Sequence, residues 1–142
     1  MIYKDLNKQK IGEIAREVSK TLTFGDVLLL YGELGSGKTF FVQKLCKHIK
    51  VKGIVNSPSY VLLNEYEGKY KVYHYDLYRL ASAEEAMELG ILERLNDGIT
   101  IIEWPELIES YLPSNHLKIH FEHSGKLRNI KLGTQGYRCL QT

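Results

Sequence analysis

A single α/β domain over residues 1–142, with a mixed parallel and antiparallel β-sheet flanked by helices, is the fold class the sequence predicts, on three observations. Val27-Leu28-Leu29-Leu30-Tyr31 is a continuous apolar run of strand length, read as a strand buried on both faces, and a glycine-rich loop and an amphipathic helix follow it at once. Ile99-Thr100-Ile101-Ile102-Glu103 is a second apolar strand, closed by an acid. Residues 60–75 and 117–132 read as two antiparallel hairpins, which makes the sheet mixed. With 142 residues, 44% of them hydrophobic, one core can bury roughly 70% of the unfolded surface, so folding needs neither disulfides nor a structural metal.

Taken in order, Ile11, Ile14, Ala15, Val18 and Leu22 recur at helical spacing between charged residues and predict an amphipathic helix over residues 6–22. Phe24-Gly25-Asp26 turns the chain into the first buried strand. After the glycine-rich loop, Phe41, Val42, Leu45 and Ile49 place a helix over residues 38–49. Ser57-Pro58 marks a turn before two aromatic-rich runs, residues 60–66 and 70–75, joined by Glu67-Gly68-Lys69. Ser82-Ala83-Glu84-Glu85 is a capping-box pattern, so a helical region is expected over residues 82–95, with Gly90 placed to interrupt or end it. Asn96-Asp97-Gly98 turns into the second apolar strand, and Pro105 suits a helix start because its missing N–H costs nothing there. Leu117, Ile119 and Phe121 alternate with polar residues before Ser124-Gly125 turns into the last strand of a half-exposed hairpin.

Charge and cysteine usage bound the function class. Nineteen basic against 17 acidic residues leave a net charge of +2, too slight to mark a dedicated nucleic-acid binder. Cys46 and Cys139 lack CxxC spacing and read as reduced thiols of a cytoplasmic chain. Met1-Ile2-Tyr3-Lys4-Asp5 leads into a charged segment rather than a secretory leader, and no apolar run approaches the roughly 20 residues that span a bilayer.

Gly32-Glu33-Leu34-Gly35-Ser36-Gly37-Lys38-Thr39 fits the pattern G-x4-G-K-[ST]. Triphosphate binding needs many N–H donors converging on a few oxygens, and Gly32, Gly35 and Gly37 let the backbone wrap that closely. The loop opens onto a helix, whose free amides and positive end favour an anion. Lys38 is expected to reach the β- and γ-phosphates, and the Thr39 hydroxyl to ligate magnesium. Strand, loop and helix in this order predict a P-loop NTPase-like domain that uses ATP and Mg2+; the guanine-reading Asn-Lys-x-Asp pattern is absent from the sequence. Such a site also needs an acid across the cleft. Glu103 ends an apolar strand as a Walker B acid does, and Asp76 ends the strand that contains Tyr73 and His74.

Five segments together resemble the bacterial TsaE (YjeE) family: Gly32–Thr39, Ser57-Pro58-Ser59-Tyr60, His74-Tyr75-Asp76-Leu77-Tyr78-Arg79, Glu88-Leu89-Gly90 and Ile102-Glu103-Trp104-Pro105-Glu106. The resemblance covers nearly the whole chain. It implies an ATP-hydrolysing accessory protein needed for N6-threonylcarbamoyladenosine (t6A) formation at adenosine 37 of tRNAs reading codons that start with A. It also implies TsaB and TsaD as partners, tRNA met indirectly through their complex, and no membrane or DNA. Carried over residue by residue, Lys38 contacts phosphate, Thr39 and Glu103 correspond to magnesium ligands, and Asp76 to an acid near the γ-phosphate. Ser57, Ser59 and Tyr60 correspond to a switch segment, Trp104 and Arg79 to site or partner-facing residues, and Arg128 to a strand bordering the nucleotide. The family usually has Thr where this chain has Ser59 and often Phe where it has Tyr60, so a hydroxyl is kept at residue 59.

Other features read as ordinary structure. The tyrosines between Tyr60 and Tyr78 follow β-propensity. His116, His120 and His123 read as solvated strand residues, since His123 points to the opposite face from the other two. Lys44, Lys47, Lys50 and Lys52 read as a solvated helix face and end. Two alternative functions stay open at this point: a small-molecule or nucleotide kinase, and a nucleotide-dependent switch that does not hydrolyse.

Overall fold

A computed structural model describes residues 1–114 and 116–133; Cys139 lies outside the described residues. The chain runs β1 (Ile2–Leu6), α1 (Lys8–Thr21), β2 (Val27–Tyr31), α2 (Lys38–His48), β3 (Leu63–Glu67), β4 (Lys71–Asp76), α3 (Ala83–Met87), α4 (Ile91–Arg94), β5 (Ile99–Glu103), β6 (Leu117–Ser124) and β7 (Leu127–Gly133). Single 3-10 turns over Pro105–Leu107 and Glu109–Tyr111 follow β5. The strands form one seven-stranded sheet in the order β1-β7-β6-β2-β5-β4-β3. β6, β2, β5 and β4 pair in parallel; β1, β7 and β3 join the outer positions antiparallel. The α/β class and the mixed sheet read from the sequence are therefore both present.

β2 and β5 sit in the middle of the sheet with every residue buried, which is why they lack polar alternation. Strand periodicity divides their side chains between two cores. Leu28, Leu30, Ile99 and Ile101 face α1 and α2, together with Phe41, Val42 and Leu45. Val27, Leu29, Tyr31 and Ile102 face α3, α4 and the 3-10 turns, with Leu77, Ile91 and Ile108. Each fully buried aliphatic side chain contributes about 1.5–3 kcal/mol. No helix among the described residues is long and apolar enough to cross a membrane. Cys46 belongs to the first core, where burial pushes its thiol up to about 12.

Three boundaries differ from the sequence expectation. The helix expected from residue 6 begins at Lys8, because the Asn7 side chain accepts the Lys10 N–H at 2.9 Å and caps it; residues 2–6 form an edge strand instead. The strand expected from residue 60 begins at Leu63: the Leu62 N–H bonds back to the Pro58 carbonyl, and Leu62 sits at φ +69°. The helical region 82–95 is two short helices, the first capped by Ser82 accepting the Glu85 N–H at 3.3 Å, the second begun by Gly90 at φ +75°.

Candidate functional site

The glycine-rich loop connects the carboxyl end of central β2 to the start of α2. Gly35 and Gly37 sit at φ +74° and +105°, conformations that L side chains rarely adopt; a Cβ at Gly37 would meet nothing, and one at Gly35 only His123 Cε1 at 4.0 Å. Gly32, at φ +147°, is needed for a different reason: a Cβ there would meet Ser36 Oγ at 2.6 Å and the Phe121 carbonyl at 2.7 Å. No side chain caps α2, so its first-turn amides stand free beside the loop, as an anion site requires. Ser36 Oγ is buried with no hydrogen-bond partner.

Across the loop, β4 and β5 end side by side, with Asp76 opposite Glu103 in the parallel register. Both carboxylates are nearly inaccessible, at 4% and 3% exposure. The Thr39 hydroxyl donates to Glu103 Oε2 at 3.5 Å, and His74 Nε2 lies 2.6 Å from the same oxygen. Asp76 Oδ1 accepts the Tyr78 N–H at 2.9 Å. Burial raises the Asp76 pKa above the usual carboxylate range, and the Glu103 charge adds to the rise; the Tyr78 N–H, Lys38 and His74 oppose it. Burial also lowers the Lys38 pKa, against the pull of Glu103 and Asp76. The Lys38 ammonium donates to the Gly32 carbonyl and lies 3.8 Å from the centre of the Trp104 ring. Trp104 sits in the left-handed region at φ +57°, which costs about 1–3 kcal/mol for a bulky residue.

Most of these groups line one cleft of about 490 Å³, with Gly32, Ser36 and His74 behind its wall. It gathers Leu34, Gly35, Gly37, Lys38 and Thr39 of the loop with Asp76, Glu103, Trp104, Ser57, Ser59 and Arg128. Arg128 reaches the loop directly, its Nη2 donating to the Gly35 carbonyl at 3.1 Å. Tyr60 and Arg79 are outside the lining: Tyr60 is 81% exposed, and the Arg79 guanidinium stacks 4.3 Å over its ring. Glu33 is exposed at the loop tip. Sequence reasoning did not assign Leu6, Asn7, Lys8, Phe40, Tyr78 and Lys126 to this wall. Phe40 carries Lys8 and Lys44 over its ring at 5.8 and 5.4 Å, so one lysine of the presumed solvated face packs beside the cleft.

A phosphate loop facing two buried acids at adjacent strand ends is shared by many nucleotide-binding proteins. The family model described as threonylcarbamoyl adenosine biosynthesis protein TsaE matches residues 6–130. The chain belongs to the TsaE family. A tRNA threonylcarbamoyladenosine biosynthesis protein TsaE of Haemophilus influenzae is 39% identical over 139 residues, covering 94% of this chain and 87% of the relative. The protein of that name from Bacillus subtilis is 34% identical over 125 residues, covering 87% and 78%. One from Rickettsia felis is 38% identical over 118 residues, covering 82% and 69%. In three dimensions the chain is similar to the crystal structure of Bacillus subtilis YdiB, with a TM-score of 0.77 at 29% identity over 96% of this chain and 86% of that one. The TsaE family read from five short motifs is thus the one the whole chain supports, and it ties the protein to tRNA threonylcarbamoyladenosine biosynthesis.

Proposed function

We propose that this chain is a single-domain, cytoplasmic P-loop ATPase of t6A formation, binding ATP with Mg2+ and acting with TsaD and TsaB homologues, through which it meets tRNA. One observation supports the catalytic part above all: Lys38 and Thr39 of the loop and the sequence-distant Asp76 and Glu103 converge on one cleft beside the free end of α2. The loop amides and Lys38 bind the phosphates. Thr39 and Glu103 offer hydroxyl and carboxylate oxygens, a donor set suited to magnesium. Among the described residues no group of three or more His, Cys, Asp or Glu forms a metal cluster, so this ion would complete its shell with phosphate and water oxygens. Magnesium, when bound, supplies charge neutralisation at the phosphoryl group. Asp76, made more basic by burial, orients the attacking water and takes its proton as the water oxygen bonds to the γ-phosphorus and the bond from that phosphorus to the bridging oxygen breaks, leaving ADP and phosphate. Ser57 and Ser59 line the cleft while Tyr60 and Arg79 stand outside it, so one segment links the phosphate side to a surface that a partner can read.

Phosphate release from ATP, measured with and without the TsaB and TsaD homologues, tests this reading. Slow release alone, faster release in the complex and loss of both in Glu103→Ala is the expected pattern. Unchanged release in a Glu103→Ala protein that binds nucleotide would count against hydrolysis at this site, and phosphate appearing on an added acceptor would favour a kinase.

A further inference from the structure

On the face of the sheet that α1 and α2 cover, β4 presents Val72, His74 and Asp76, and β5 presents Ile99, Ile101 and Glu103. His74 lies one step below the acids, fully buried, with Val72 and Ile101 beside it, Asn64 opposite it on β3 and the Tyr66 ring 6.4 Å from its own. Among the described residues its one side-chain hydrogen bond is the 2.6 Å contact from Nε2 to Glu103 Oε2, the oxygen that also receives the Thr39 hydroxyl. A carboxylate only accepts, so Nε2 is the nitrogen that donates. Nδ1 is buried without a partner. An unpaired buried polar atom costs about 1–3 kcal/mol. Packing alone would be better served by an aliphatic residue such as Val72 or Ile101, so the imidazole is retained for its bond to Glu103.

We propose that His74 is a positioning residue: its Nε2–H fixes the Glu103 carboxylate beside the Thr39 hydroxyl, so that these two groups together face a divalent cation. The inference rests on the reading of Thr39 and Glu103 as magnesium ligands. Partners that orient a ligating group in this way set metal affinity by about 10–100-fold.

The test is the ratio of ATP affinity in magnesium to ATP affinity in EDTA, by titration calorimetry, for wild type, His74→Leu and His74→Gln. His74→Leu is expected to cut the magnesium-dependent gain about 10-fold or more with the EDTA affinity unchanged, and His74→Gln, whose amide can reach the same oxygen, to restore most of it. A full magnesium-dependent gain in His74→Leu overturns the proposal. So does an equal loss in EDTA, which would mark a packing role. A wild type with no magnesium-dependent gain would instead sink the metal reading itself. Independently of any variant, the imidazole 15N resonances of the wild-type protein should show His74 protonated at Nε2 with that signal shifting on addition of magnesium and ADP; protonation at Nδ1 alone contradicts the proposal.

Discussion

Replacing Trp104 with leucine should tighten nucleotide binding, because the indole ring competes with phosphate for the Lys38 ammonium. Lys38 is 5% exposed, lies 3.8 Å from the indole centre and donates to the Gly32 carbonyl. A cation over an indole in so dry a place gains about 1–2 kcal/mol. A triphosphate that draws Lys38 away forfeits that energy. At a factor of ten per 1.4 kcal/mol, removing the ring while keeping an apolar side chain raises affinity about 5- to 30-fold. Leucine carries the same backbone penalty at φ +57° as tryptophan, so the strain term cancels. Displacement of a fluorescent ADP analogue measures the change, with circular dichroism to verify the fold. Equal or weaker binding by a folded Trp104→Leu protein would refute the account of Lys38. Trp104 is also the only tryptophan in the chain, so wild-type emission should change as nucleotide draws the ammonium from its ring.

Asp76→Asn should abolish phosphate release yet raise the melting temperature at neutral pH. The folded-state pKa of Asp76 is raised, so its favourable protonated form is complete below the ordinary aspartate value and is lost as pH climbs through the folded value. The advantage of the asparagine variant, read from melting curves across pH, should therefore appear above that range and close below it. Gly32→Ala forces a Cβ to within 2.7 Å of a backbone carbonyl at φ +147°; it should lose nucleotide binding and cost at least about 1–3 kcal/mol in urea unfolding. Leu29→Ala, in the second core away from the loop, should cost about 2–5 kcal/mol in the same assay, with nucleotide affinity of the folded fraction unchanged.

How far the sequence could be read depended on whether the signal was local. β2, the loop, α2 and β5 carry their own evidence, since apolar runs and glycine spacing come from adjacent residues, and these elements position Lys38, Thr39 and Glu103. β1 has no such signal: it is a largely exposed edge strand defined by pairing Ile2 with Lys131 and Tyr3 with Ile130, at the far end of the chain. Starting α1 at residue 6 took in only the last residue of that strand and hid the Leu6-Asn7-Lys8 wall of the cleft, although Asn7 was legible as a cap. His74 was masked by its tyrosine neighbours, which read as simple β-propensity. Its position two residues before Asp76 puts both on one face, and that spacing was the available clue. Arg128 could be tied to the loop only once β6 and β7 folded back beside β2, bringing its guanidinium to the Gly35 carbonyl.

The most direct test of the central claim, that this cleft holds ATP and magnesium, is calorimetric titration of wild type and Lys38→Ala with ATP in magnesium. Saturable 1:1 binding by wild type, weakened by an order of magnitude or more in a folded Lys38→Ala protein, is the predicted result. Equal binding by both would contradict the claim.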